Sequence, residues 1–419
     1  MTSNPDIVIV NEREYTRPRA PVVVICCDGS EPDYIEAARS KGLMPNLERI
    51  IAKGVDLRAD SAMPSFTNPN NLSIVTGRPP SVHGISGNFF RDRASGEDVM
   101  MNDPAFLRAP TIFSAFQRAG ASVAVVTAKD KLRRLLGHGL TFGDGSAVCF
   151  SSERADRSTL AENGIEGVVE MVGMPVPDVY SLELSEFVFA AGVKLMERMR
   201  PDLLYLSTTD FIQHKHAPGS DGADAFYAMM DRYLGPLDDS GAVVVLTADH
   251  GMKAKHLPDG APDVIYLQDV LDEWLGRDRA SVILPITDPY VVHHGALGSF
   301  ATVYLEPDVD VEDVTRRIRA LPGIHVAVDR EEGCASYELP PDRMGDVIVI
   351  SRNTKVIGTR MADHDLDALD VPLRSHGGLT EQVVPFIVNR RLRDLPQHLR
   401  NFDAFAVGLN HVAPAAVDA

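Results

Sequence analysis

The sequence predicts an α/β protein of three layers, a mostly parallel sheet between helices, with a small α/β cap inserted late in the chain. Three observations predict it. Short, apolar, β-branched-rich runs recur at 22–27, 122–127, 203–207, 242–248 and 383–388. Helix-like segments at 45–53, 110–119, 182–199 and 222–237 fall between them, and buried strands alternating with helices give a parallel sheet covered on both faces. Finally, the first, third and fourth runs finish in the same kinds of residue: Asp28, Asp210, and the pair Asp249 and His250. Ligands of such sheets bind outside the carboxyl ends of the strands, so these residues and Lys129 are expected along one rim.

In chain order, the run VVVICC ends in Asp28, which taken alone is also an ordinary helix-cap residue. In MPSFTNPNNLSIVTGRPPSVHGISGN, the turn-like Asn68-Pro69-Asn70-Asn71 beside Thr67 feeds the first turn of a helix. A hydroxyl there feels the positive helix end, and a coordinated metal would lower its pKa. Thr67 is therefore the candidate nucleophile, with Ser65, Ser73 and Thr76 as local competitors. Asn88, in HGISGN, could donate its amide to a developing phosphoryl charge. Lys129 and Lys131, in VVTAKDKLRR, would usually be a solvated pair, but on the active rim they could grip a carboxylate or phosphoryl oxygens.

YLSTTDFIQHKH places Asp210 and His214 four residues apart, within reach of one divalent ion. Asp249-His250-Gly251 ends the next run, and Gly251 is expected to let the backbone turn sharply away. His376, in RSHGGLTEQ, offers another imidazole. Three Asp and three His suffice for two metal sites of about three protein ligands each, with a position open to substrate. Structural or supporting roles are expected for His83, His216, His256, His293 and His294. The residues themselves point to a two-metal hydrolase.

The segment 285–362 carries none of these ligands. A strand at 301–305, a helix at 311–320, a strand at 324–329, a loop and a strand at 346–351 make it the inserted cap. The core is then expected at 20–284, with a return at 363–410 that brings His376. The carboxylates of PDVDVEDV fit a solvated helix N-terminus better than a calcium site. The tail HVAPAAVDA is expected to be loose.

Composition narrows the classes of function. At 419 residues the chain can bury a sizeable core. Its formal net charge of -18, from 41 Lys plus Arg against 59 Asp plus Glu, disfavours nucleic acid and anionic membranes as partners. Any anionic substrate must be held by locally placed metals or lysines. The four cysteines form no CxxC pair and are expected to be buried and unpaired. No secretory signal and no run of roughly eighteen apolar residues is apparent, so no membrane span is expected and the cytoplasm is the default compartment.

Asp28, SFTNPNNLSIVTG, TTDFIQHKH, TADHG and RSHGG occur in the order seen in the alkaline phosphatase superfamily. Over roughly residues 20–390 the chain resembles its nucleotide pyrophosphatase/phosphodiesterase-like branch, and most closely the phosphonoacetate hydrolase family. The closer likeness rests on Thr67, Asn88, the AKDK lysines, QHKHAPG and RSHGGLTEQ. It implies an alkaline-phosphatase-like fold and two zinc ions, with manganese or cobalt as possible substitutes. One ion would be held by Asp28, Thr67, Asp249 and His250, the other by Asp210, His214 and His376. It further implies that Thr67 attacks phosphorus, that Asn88, Lys129, Lys131, His214 and His376 bind substrate, and that acetate leaves.

The expected reaction is thus cleavage of the C–P bond of phosphonoacetate to acetate and phosphate through a phospho-Thr67 intermediate. The expected partner is a small anionic phosphonate, beside a possible homodimer. The rival activity is nucleotide pyrophosphatase/phosphodiesterase, for which Phe90 and Tyr290 could build an aromatic slot. A metal-binding scaffold without turnover is the rival from another class.

Overall fold

A computed structural model describes residues 6–286 and 297–414. His293, His294, Tyr290 and the last five residues of the tail lie outside the described residues. Seven strands form the central sheet in the order Val55–Asp60, Val383–Val388, Val243–Thr247, Val22–Cys26, Leu203–Ser207, Val123–Thr127 and Ala147–Ser151. The last five run parallel. Val383–Val388 is antiparallel to Val243–Thr247 and to the edge strand Val55–Asp60. All five expected runs are strands, each trimmed by no more than a residue at either end.

The parallel strands are buried along their whole length, as their unbroken apolar runs require. Alternate side chains feed opposite cores. Val23 and Ile25 face the helices Pro32–Ser40, Glu183–Arg198 and Asp221–Asp239, while Val22, Val24 and Cys26 face Thr67–Thr76, Ile112–Arg118 and Ala404–Asn410. That is the expected three-layer arrangement. All four cysteines are buried and free.

A second sheet of four antiparallel strands runs in the order Ala280–Ile283, Phe300–Leu305, Val347–Ser351 and Ile324–Asp329, over its own apolar cluster. The stretch expected as a loop between the last two of these strands in the chain is instead the helix Arg330–Tyr337. Its Gly333 and short residues hide the helical period, but Asp329 caps it by accepting from the Glu332 N–H at 2.8 Å. PDVDVEDV opens the helix Val311–Arg319, and Asp310 accepts from the N–H groups of Glu312 and Asp313. Ala280–Ile283 pairs with Phe300–Leu305. Leu267 and Leu271 of the helix Leu267–Leu275 also pack in that sheet's apolar cluster. We therefore propose that the cap takes in this strand and that helix, ahead of residue 285, while the core carries the earlier part of 20–284 and the return 363–410.

Candidate active site

The parallel register carries the strand ends to one rim. Asp28, Lys129 and Asp249 stand two residues past their strands and Asp210 three, so all four side chains gather at the carboxyl edge. His376 arrives from the other direction. It follows the two-residue strand Arg374–Ser375, which pairs with Lys253–Ala254 just beyond the Asp249-His250 turn. Two clusters result, Asp28 with Asp249 and His250, and Asp210 with His214 and His376, each with ligand atoms within 4.8 Å of one another. The rings of His250 and His376 stack between the clusters at 3.6 Å and 5°.

Backbone geometry allows this crowding at two glycines. Gly29 has φ +68, and a Cβ there would meet Asp210 Cβ at 2.9 Å; Gly377 has φ +115 and packs on the Phe66 ring. Gly251, expected to turn through a special conformation, does not use a positive φ. Its constraint is close packing, since a Cβ would stand 3.0 Å from Glu31 Cβ.

The imidazoles are aimed by their other nitrogens. Nδ1 of His214 donates to Arg374 O at 2.9 Å, Nδ1 of His250 to Gly251 O at 2.9 Å, and Nδ1 of His376 to Ser65 O at 2.8 Å. A carbonyl only accepts, so in each neutral ring the lone pair is on Nε2 and turned toward the carboxylates. His214 Nε2 stands 2.9 Å from Asp210 Oδ2, and His250 Nε2 3.2 Å from Asp28 Oδ1. Two lone pairs that close need a proton or a cation between them. Asp28 Oδ1, though buried, accepts no hydrogen bond.

The electrostatics agree. Burial pushes the Asp28 carboxyl well above its ordinary range, with Asp210 and Asp249 adding to the shift. Asp249 is raised first by burial. Burial works against charge on Asp210 too, but His214 and His376 outweigh it and hold that carboxyl low. Burial likewise opposes charge on His214, yet Asp210 raises it; burial sends His376 well below its usual value. These donors fit divalent ions, which would relieve the buried carboxylates. Metal then competes with protons at Asp28 and His214, the two groups whose proton affinity the fold raises. Affinity for a divalent ion is expected to rise with pH as proton competition falls, and calorimetry in buffers of different ionisation enthalpy will register any proton release. Saturating metal, at about a hundred times its Kd, should stabilise the fold by about 3 kcal/mol, read as a chelator-reversible rise in melting temperature.

Thr67 is the first residue of the helix Thr67–Thr76, and its Oγ1 lies 3.2 Å from His250 Nε2. The competing hydroxyls are buried and committed: Ser65 to Gly378 O, Ser73 to His83, Thr76 to Leu72 O. A cavity of about 220 Å³ brings Thr67 and Asp28 together with Asn88, Lys129 and Lys131. Asn88 Oδ1 accepts from Asn68 Nδ2 at 2.9 Å, while Asn88 Nδ2 donates to Ile286 O at 3.0 Å. Lys129 is half-buried, and that burial lowers its ammonium pKa; Lys131 is exposed.

Sequence reasoning missed several residues that place these groups. Asn71, fully buried, donates to Thr67 O and to Asp249 Oδ2 and accepts from Tyr205 and Ser207. It ties the start of the helix Thr67–Thr76 to Asp249. Arg374 donates to Gln213 O and Tyr34 Oη, and its own carbonyl holds His214. Asn68, Asn102 and Thr208 also line the cavity. Of the remaining histidines, His83 is buried and lowered by burial to about 3, a neutral bridge from Ile85 N to Ser73. His256 donates to Leu257 O, and His216 packs against Gly222. Phe90, a candidate for an aromatic slot, is instead buried against Phe106 and Arg343.

Residues 22–378 match the type I phosphodiesterase / nucleotide pyrophosphatase family. Over 256 residues, 56% of this chain, it is 25% identical to an uncharacterised pyrophosphatase/phosphodiesterase of Schizosaccharomyces pombe. It is 26% identical over 251 residues to ectonucleotide pyrophosphatase/phosphodiesterase family member 1 of Mus musculus. The matches cover 45% and 24% of those two proteins, so the chain spans less than half the length of the curated relatives it matches. Among solved structures, phosphonoacetate hydrolase from Sinorhizobium meliloti 1021, in complexes with phosphonoformate and with phosphonoacetate, superposes with a TM-score of 0.95 at 61% identity. The superposition covers 97% of this chain and 99% of that one. Murine ectonucleotide pyrophosphatase/phosphodiesterase 5 shares the fold at a TM-score of 0.64 and 18% identity, over 95% of this chain and 96% of its own. The chain is an enzyme of the type I phosphodiesterase / nucleotide pyrophosphatase family and groups within it with the phosphonoacetate hydrolases.

Proposed function

We propose that this enzyme hydrolyses the C–P bond of phosphonoacetate to acetate and phosphate, with Thr67 as nucleophile. The observation that carries the reading is one small cavity lined by Thr67, Asn88 and two lysines, opening onto the Asp28 carboxylate of the first cluster. The 61% identity to the S. meliloti enzyme supports the same substrate. Asp28, Thr67, Asp249 and His250 would hold one zinc ion, and Asp210, His214 and His376 the other, with manganese or cobalt as substitutes. When bound, such ions supply Lewis acidity, which lowers the pKa of a hydroxyl or a water and offsets phosphoryl charge.

The chain's own groups do the rest. Thr67 Oγ1, set by the helix and by Asn71, attacks phosphorus and forms a phosphothreonine as the P–C bond breaks. The electron pair of that bond passes to the methylene carbon, where the adjacent carboxylate spreads it as an enolate-like dianion. Lys129 and Lys131 meet charge that is largest at that moment, and binding specific to the transition state is what raises rate. The carbon takes a proton from water, matching the one the Thr67 hydroxyl gives up to solvent on attack, and acetate leaves. Water then cleaves the phosphothreonine to phosphate and returns the Thr67 hydroxyl. Asn88 presents its remaining amide hydrogen toward the phosphoryl oxygens.

The test is substitution of both lysines by alanine, assayed on phosphonoacetate and on p-nitrophenyl phosphodiester. Phosphonoacetate turnover should fall by a factor on the order of 10²–10³, as for loss of groups that stabilise developing charge, while the diester, which lacks a carboxylate, is spared. Equal loss on both substrates would count against the carboxylate role. A diester that is the better substrate of the unaltered enzyme would favour the nucleotide-directed branch. We also propose a cytoplasmic location, in keeping with four unpaired buried cysteines, and a homodimer. Among the described residues no helix is long and apolar enough to cross a membrane.

A further inference from the structure

Lys129 has carboxylates near it but none in contact: Glu153, Asp210 and Asp28 act on its ammonium from a distance. Among the described residues, no carboxylate oxygen forms an ion pair with its ammonium, although Lys215, Lys253 and Lys255 each have one. Its close partner is instead the ring of Tyr180, with Nζ 5.3 Å from the centroid. Tyr180 is 68% exposed, which is unusual for a large aromatic ring with nothing to hold. Its backbone is pinned, because Tyr180 N donates to Asp178 Oδ1 at 2.8 Å. The ring also lies against Phe211, the residue after Asp210, at 6.0 Å and 48°.

The choice of partner has a chemical consequence. A carboxylate beside Lys129 would orient the ammonium but would also neutralise it, and substrate would have to displace it. A π face orients the cation and strips part of its water without spending its charge. Building on the phosphonoacetate reading, we propose that Tyr180 is a specificity-determining positioning residue that holds Lys129 ready for the carboxylate of the substrate. Phosphoryl binding is served by Thr67, Asn88 and the two clusters, so Tyr180 acts on the carboxylate end alone. The favoured ligands are small phosphonates that carry a carboxylate.

Zinc-loaded wild type, Tyr180→Ala and Tyr180→Phe are compared with phosphonoacetate and with p-nitrophenyl phosphodiester, beside calorimetric binding of phosphonoformate and of inorganic phosphate. Tyr180→Ala should raise KM for phosphonoacetate and Kd for phosphonoformate about tenfold. Diester turnover and phosphate binding should not move, and Tyr180→Phe, which keeps the ring, should behave as wild type. Equal losses on all four readouts would mean that Tyr180 merely supports the fold, and no loss on any would mean that Lys129 needs no ring; either overturns the inference. Should wild type fail to turn over phosphonoacetate, the functional reading falls. Phosphonoformate binding still decides the role of Tyr180.

Discussion

Thr67→Ala enzyme is expected to lose phosphonoacetate turnover by a factor on the order of 10⁴–10⁶, as enzymes do when the nucleophile of a covalent mechanism is removed. The fold should survive, because Thr67 is only partly buried and its backbone carbonyl, not its hydroxyl, anchors Asn71. The His250 ring keeps its orientation through Gly251 O. The metal-free melting temperature should therefore stay near that of wild type, and the ion at Asp28, Asp249 and His250, short of one ligand, should bind more weakly but still bind, while the rate collapses. A scaffold that binds metal without turnover predicts the contrary, with ligand-induced behaviour indifferent to this hydroxyl. Acid-quenched wild type mixed with phosphonoacetate should carry one phosphoryl group on the peptide containing Thr67, read by mass spectrometry, and Thr67→Ala should carry none.

Lys255→Met is expected to produce the largest loss of stability. Lys255 and Glu381 are fully buried and paired at 2.9 Å. Lys255 also donates to Asn353 O at 2.5 Å. Burial lowers the pKa of Lys255, with Glu381 opposing the shift. Glu381 in turn accepts from Gly378 N and Thr380 Oγ1, which ties the turn after His376 into the pair. Removing the ammonium alone leaves a buried carboxylate without its cation, a loss of about 3–5 kcal/mol. The loop that presents His376 should loosen with it, so metal dissociates faster as well. A Lys255→Met, Glu381→Gln double variant removes both charges and should recover much of the stability, read by chemical denaturation of the metal-loaded proteins.

The fold and the site were legible in the sequence to different degrees. The five central strands could be read because burial on both faces leaves no polar residue inside them, and the candidate ligands because they sit at the ends of those runs. Val55–Asp60 was not read as a strand. Its half-exposed edge position tolerates Asp56 and Arg58, which hide the pattern. Asn68 and Asn71 looked like ordinary turn residues. Their roles exist only through partners such as Asn88, Asp249 and Tyr205, the last 134 residues away. Arg374 reaches Gln213 over 161 residues and Tyr180 reaches Lys129 from another loop, contacts that no local period encodes.

Cleavage of the C–P bond is tested most directly by phosphorus NMR and acetate assay of metal-loaded enzyme incubated with phosphonoacetate, beside a nucleotide diester. We expect acetate and phosphate in equal amounts, abolished by chelation and by Thr67→Ala. Intact phosphonoacetate beside rapid hydrolysis of the nucleotide would contradict the reading and place this enzyme with the phosphodiesterases.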